Sequence, residues 1–173
     1  MRIACWNPAP RPAPSSSKAE RTMARATLAT EPRLVERSFF PFWHAAIIRH
    51  ADLDPNNHVT NSVICAWFDD GRYTLLCDVV LPLLEPGDYP VLASVTIDFH
   101  REIRFRSTPE IGTAVHTLGN RSLNMVQGIF CDGECVATAT SVTVLVDGKS
   151  GRPRPVGEAV AAALGAFAGR KDG

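Results

Sequence analysis

The 173-residue chain lacks a net charge, since 18 lysines and arginines balance 18 aspartates and glutamates. With no long-range positive field to draw it to a nucleic acid or an anionic membrane surface, a polyanion is excluded as the expected partner. It also lacks a membrane-spanning run. A spanning helix needs about twenty apolar residues, and the longest apolar stretch, Tyr73 to Leu84, is interrupted by Cys77, Asp78 and Pro82. A pairable set of cysteines is missing too: Cys5, Cys65, Cys77, Cys131 and Cys135 are odd in number and irregular in spacing, which points to a reducing compartment and a cytoplasmic location. No second Cys pair or His stands near Cys131 and Cys135 to complete a zinc site. His44, His50, His100 and His116 are scattered without a matching carboxylate pattern, so no metal ligand and no cofactor is assigned.

What is present reads as one domain with a full core between two short tails. Residues 1–37 carry Pro8, Pro10, Pro12 and Pro14, then three serines, with more basic than acidic residues and no sustained period. Such a composition predicts a disordered tail, or an artefactual one with Met23 as the true start. The domain spans 38–156. Phe39 to Arg49, rich in aromatic and β-branched residues, reads as a first strand, and Asp52 to Thr60 as a turn-rich connection. From Asn61 a helix follows, with Thr60 or Asn61 as cap and Ile64, Trp67, Phe68, Gly71, Leu75 and Val79 as its apolar stripe. Asp69, Asp70 and Arg72 fall off the stripe, so Asp70 and Arg72 are expected to pair on the exposed side. Pro82, Pro86-Gly87 and Pro90 end the helix.

The second half is strand after strand. Apolar residues at odd positions from Val91 to Phe105, with Arg101 the one charge among them and polar residues on the other face, predict a long half-buried strand. A turn at Ser107 to Gly112 leads to strands near Thr113 to Leu118, Asn124 to Cys131 and Glu134 to Val146. The Asp132-Gly133 hairpin should set Cys131 opposite Glu134. Residues 157–173 form a short tail in which Glu158 to Ala168 can be helical. The fold class is therefore α+β, with a curved antiparallel sheet of about five strands wrapped around one long helix.

The chemistry concentrates in His50-Ala51-Asp52-Leu53-Asp54-Pro55-Asn56-Asn57-His58-Val59-Thr60-Asn61. Two carboxylates, an imidazole and a carboxamide share a turn that ends at a helix N-terminus. Thioester hydrolysis needs a base or nucleophile near the carbonyl carbon and donors at its oxygen, and a helix start supplies unpaired N–H groups with about half a unit of positive charge. Alone, Asp54-Pro55-Asn56 is an ordinary turn in which the aspartate bonds its own backbone. With His58, Asn61, the helix and the sheet order around it, catalysis is the favoured reading. Asp52 is read as structural. His58 is read either as a group that bonds the carbonyl or steers Asn61, or as a buried histidine tying the loop to the backbone.

This segment, with Phe68-Asp69-Asp70-Gly71-Arg72 downstream, resembles the hot-dog-fold thioesterases of the 4-hydroxybenzoyl-CoA thioesterase type, in which Asp-x-Asp-x-x-Gly-His-Val-Asn-Asn precedes the central helix. The likeness continues through Ile97-Asp98-Phe99, Ile111-Gly112, Arg121-Ser122 and Gly151-Arg152-Pro153, covering about 39–155. Asn57 stands where the family has glycine, and Thr60 replaces the first asparagine of the pair. The resemblance implies Asp54 as catalytic base or nucleophile and the N–H of Asn61 as oxyanion donor, with His58 beside them. It also implies Arg121 and Ser122 as contacts for coenzyme A, and a homodimer or homotetramer with the site between subunits. Arg101, Arg104, Arg106, Lys149, Arg152 and Arg154 are further candidates for holding its phosphates, and Trp67, Phe68 and Tyr73 for lining an acyl group. Two other readings stay open: an enoyl-CoA hydratase on the same fold, whose Asp-x-Asn-Pro-x-His spacing this segment misses by one residue, and a protein that binds acyl groups without turnover.

Overall fold

The computed structural model describes residues 26–170. Apolar residues at spacings of three and four build helix α1 (Asn61–Leu75), and Ile64, Trp67, Phe68, Gly71 and Leu75 are buried along it. A Cβ on Gly71 would come within 2.8 Å of Ile111 Cγ2, so the bare backbone lets the helix lie close on the sheet. Past Leu75 the helix widens into a π turn, Leu76–Val80, then ends in a 3₁₀ turn, Leu81–Leu83, around Pro82. The wider turn shifts the side-chain register, so Leu76 and Val80 enter the core while Val79 stays only partly buried.

Strands β1 (Phe42–Ala45), β2 (Tyr89–Phe99), β3 (Pro109–Leu118), β4 (Ser122–Cys131) and β5 (Glu134–Val146) form one antiparallel sheet in the order β1-β3-β4-β5-β2. The long helix packs on one face of that sheet, as the hot-dog resemblance implies. A short helix, α2 (Glu158–Gly165), packs Val160 and Leu164 against the far end of α1. Cys131 stands opposite Glu134 across a turn in which Asp132 and Gly133 both take positive φ. Burial pushes the Cys131 thiol up to about 12 and the Cys135 thiol to about 11, so both stay protonated and inert.

Several expectations are corrected. β1 stops at Ala45 rather than Arg49, because its partner β3 begins at Pro109, whose missing N–H cannot extend the ladder beyond the bond from Ala46 N–H to Pro109 O. β2 stops at Phe99 rather than Phe105, because the N–H groups of His100 and Arg101 both converge on Val136 O, at 2.9 and 3.1 Å. Nor is β2 half-buried within this chain. As the sheet's edge it leaves Val91, Leu92, Val95 and Phe99 39%, 40%, 41% and 46% exposed. Arg72 is the reverse case, only 3% exposed. It pairs with Asp69 instead of Asp70, and Nη1 lies 3.5 Å from Oε1 of the buried Gln127. A spacing of three puts Asp69 on the same face, and the aliphatic stem carries the guanidinium under the helix edge.

The segment 26–37, assigned from its composition to the tail, is packed. 3₁₀ turns at Pro32–Val35 and Arg37–Phe39 lay Leu34, Phe39 and Phe40 on the sheet face opposite α1, against Ala114, Val126 and Phe130. Glycines make the seat: a Cβ on Gly112 or Gly128 would come within 2.6 or 3.0 Å of the Phe40 ring. Arg37 fastens the arm with two hydrogen bonds to Glu110, at 2.7 and 2.9 Å. Residues 1–25, including the proline cluster and Met23, lie outside the described residues.

Candidate active site

The turn before α1 is closed at each level of its backbone. Asp52 Oδ2 accepts the Arg49 N–H at 2.7 Å and Asp52 O accepts the Thr60 N–H at 2.9 Å, which gives Asp52 the structural role read from the sequence. Inside that frame the Asp54 N–H donates to His58 O at 2.8 Å and the Asn57 N–H to Asp54 O at 3.0 Å. Asn57 takes φ 61, the left-handed conformation that asparagine tolerates in place of glycine. The loop is then stitched to the segment beyond β2. Val59, buried in the core, donates its N–H to Ile103 O at 2.8 Å, and His58 and Arg104 form an antiparallel bridge.

This folding sets the Asp54 carboxylate. Its Oδ1 accepts the N–H groups of Asn56, at 2.8 Å, and His58, at 2.9 Å. Those donors, the His58 amide foremost, hold its pKa below the ordinary aspartate value, so the group is an anion across neutral pH. Helix α1 begins three residues after His58. The N–H groups of Val63 and Ile64 both turn back to Thr60 O, while those of Asn61 and Ser62 have no acceptor among the described residues. An anion in a fixed orientation and the helix start at Asn61 thus meet at one cleft of about 450 Å³, lined by Asp54, His58, Asn61, Ile64, Phe99 and Glu102.

Asp54, His58 and Asn61 are therefore brought together as expected, and Arg121 and Ser122 are not. Ser122 pairs with Val144 at one end of β5, whereas the cleft lies by Val136, whose carbonyl receives His100 and Arg101. Eight residues of strand separate the two, about 27 Å. Trp67 and Phe68 are core residues, and Tyr73 is exposed on the outer side of α1. The apolar lining is instead Val59, Ile64, Phe99 and Ile103. Among the described residues no three His, Cys, Asp or Glu side chains stand close enough to hold a metal ion, and no helix is long and apolar enough to cross a membrane.

Glu102 escaped the sequence reading. His58 Nε2 lies 2.9 Å from Glu102 Oε2, while Glu102 Oε1 accepts from Arg104, which lowers the Glu102 pKa. Glu102 alternates with Ile103 and Arg104 like any solvent-facing carboxylate, and only the bridge between the two segments brings it to the cleft.

Residues 48–164 match the sequence profile of the thioesterase-like superfamily. Among solved structures, a Thermus thermophilus thioesterase complexed with coenzyme A and Zn is 30% identical, with a TM-score of 0.65 over 72% of this chain and 98% of that one. A protein from Bacillus stearothermophilus described as a predicted thioesterase is 22% identical, with a TM-score of 0.69 over 76% and 98%. The DHNA-CoA thioesterase of Staphylococcus aureus, at 13% identity and a TM-score of 0.60 over 66% and 80%, shares the fold. No curated protein matches the sequence. With two thirds of its length matched by the profile and the sheet, helix and turn in place, the chain belongs to the thioesterase-like superfamily and has the hot-dog fold.

Proposed function

We infer that the protein hydrolyses an acyl-coenzyme A thioester to a free acid and coenzyme A, in the manner of the 4-hydroxybenzoyl-CoA thioesterase type. The observation that carries this reading is the Asp54 carboxylate, fixed by two backbone N–H groups beside a helix start whose first amides are unclaimed. Asn61 N–H, with the positive end of α1 behind it, receives the carbonyl oxygen as charge develops there. Asp54 either takes a proton from the attacking water or adds to the carbonyl carbon itself. In both routes the C–S bond breaks, the sulfur leaves as thiolate and regains a proton, and one water is consumed. In a single turnover in ¹⁸O-water, label in the Asp54 carboxyl establishes the nucleophilic route, by attack of water on the aspartyl carbon of the mixed anhydride.

Coenzyme A is the carrier group favoured by the Thermus relative, which was solved with it. The exposed apolar edge of β2 supports an assembly in which two chains pair edge to edge into a homodimer, or two such pairs into a homotetramer. A second chain then supplies the Arg121-Ser122 turn that one chain holds too far from its own cleft. The test is thiol release from a panel of acyl-CoA thioesters by the wild type and Asp54→Asn. Loss of roughly a hundredfold or more in kcat for the variant is expected. Equal rates for the two proteins, or hydration of crotonyl-CoA without thiol release, overturns the reading.

A further inference from the structure

Thr60 occupies the N-cap of α1, the position from which a threonine hydroxyl ordinarily accepts an amide of the first turn. Here it accepts none. The Val63 and Ile64 N–H groups bond the Thr60 backbone carbonyl, at 3.0 and 3.2 Å, and the Ser62 N–H has no acceptor among the described residues. The Thr60 hydroxyl instead meets the Ser62 hydroxyl, with 3.1 Å between Oγ1 and Oγ. The field of the helix sets the direction of that bond. An α-helix presents partial positive charge at its start, which draws hydroxyl oxygens toward the first turn and turns their hydrogens away from it. Ser62 lies in that turn and Thr60 outside it, so Ser62 donates and Thr60 accepts. A hydroxyl carries one hydrogen and two lone pairs. Thr60 gives a lone pair to Ser62 and keeps its own hydrogen, and it lines the cleft with Asn61 and Asp54.

We propose that Thr60 is a catalytic residue, its hydroxyl donating a second hydrogen bond, beside that of the Asn61 N–H, to the carbonyl oxygen of the bound thioester. This rests on the thioesterase reading and deepens it. Negative charge forms on that oxygen as the carbonyl carbon turns tetrahedral, and two donors in place before the substrate arrives hold it better than one. A hydroxyl that capped the helix would face its amides; one released from them can face the substrate. Ser62 is a positioning residue, since the bond it gives Thr60 polarises that hydroxyl and fixes its rotation. No proton leaves Thr60 at any stage, so Asp54 keeps the role of base or nucleophile.

The experiment measures thiol release from acyl-CoA thioesters together with thermal melts, on the full chain. Thr60→Val exchanges the hydroxyl for a methyl of the same shape and should lower kcat roughly 100-fold, the scale of one lost oxyanion donor, while KM changes less than about threefold. Thr60→Ser keeps the hydroxyl and should recover most of that loss. Ser62→Ala, which keeps the Ser62 amide, should lower kcat by about threefold to fivefold, the scale of one neutral hydrogen bond. Because the Thr60 hydroxyl caps no amide, the melting midpoint of Thr60→Val should stay within about 1 °C of wild type, where loss of a cap would lower it by about 2–4 °C. A change confined to KM, a Thr60→Ser variant as slow as Thr60→Val, or a fall in midpoint of the size of a lost cap would overturn the proposal. An active wild type matched in kcat by Thr60→Val overturns this role alone, whereas a wild type that releases thiol from none of the thioesters overturns the thioesterase reading and this role together.

Discussion

The helix start offers a way to delete one backbone donor without touching the fold. Asn61 is the first residue of α1, and its N–H has no acceptor among the described residues, so Asn61→Pro removes no hydrogen bond within the chain. Proline is favoured at that position, where its fixed φ matches the helix. The preceding residue must be extended, and Thr60 already is, at φ −65 and ψ 147. The folding cost should therefore stay under about 1 kcal/mol, whereas loss of an oxyanion donor costs about 3–4 kcal/mol of transition-state stabilisation. At 1.36 kcal/mol per factor of ten, kcat should fall roughly 100- to 1000-fold. Asn61→Ala, which keeps the N–H and removes the carboxamide, is the control and should stay close to wild type. The assay is thiol release at saturating acyl-CoA, with thermal melts of all three proteins. If the proline variant melts like wild type and turns over within about threefold of the alanine variant, the Asn61 amide is not the oxyanion donor. If the alanine variant is as slow as the proline one, the side chain carries the role.

Other outcomes follow from single features. Because backbone donors hold the Asp54 pKa below 3.8, its value in free aspartate, the ionised form persists into acid. A carboxylate that works as the anion should then keep kcat/KM flat down to that value, with the acid limb below it, and a limb centred well above 4 would show that another group governs activity. The same shift makes Asp54 stabilising above its unfolded-state pKa, a contribution lost as pH falls through the lower folded value. Phe40→Ala, which empties the glycine seat of the arm, should cost about 3–5 kcal/mol and lower the melting midpoint by about 10 °C while kcat is unchanged; denaturant titration beside the thiol assay checks both halves. Arg121→Ala should raise KM about tenfold for acyl-CoA with little change in kcat, as expected of a group that binds substrate and transition state alike. Iodoacetamide at pH 8 should modify the exposed Cys65 in the native protein and spare Cys131 and Cys135, with peptide mass mapping as the readout.

The parts of this molecule that could be read from sequence are those whose partners lie close along the chain. The α1 stripe from Ile64 to Leu75, the Asp132-Gly133 hairpin and the Asp54–His58 turn are each specified within about a dozen residues. The parts that could not be read depend on a partner far along the chain. Arg72 reads as a surface charge because the strand that covers it, with Gln127 beside its Nη1, lies 55 residues away. The arm 26–37 reads as a tail because what orders it lies far along the chain: Leu34 packs beside Phe40, whose ring is seated at Gly112 and Gly128, and a glycine that makes room for a ring leaves no period of its own. The ends of β1 and β2 were misplaced for the same reason, being set by what Pro109 and Val136 present across the ladder.

His58 stands where the two kinds of information meet, so its sequence context alone admits more than one role. Its amide belongs to the local turn and donates to the side chain of Asp54 four residues back, a bond specified within the turn itself. Its ring belongs to the long-range part, since Glu102 lies 44 positions away and arrives only because β2 leads the chain back to the turn. A site assembled this way needs both segments fixed to each other, and the bond from Val59 to Ile103 fixes them within the core. Weakening that junction, as Ile103→Ala would by opening a cavity beneath it, should loosen the Asp54 carboxylate and the His58 ring together. Activity should then fall, although Ile103 carries no group that could take part in the chemistry. A variant at Ile103 that loses stability but keeps its full turnover below its melting temperature would show that the two segments do not need this junction.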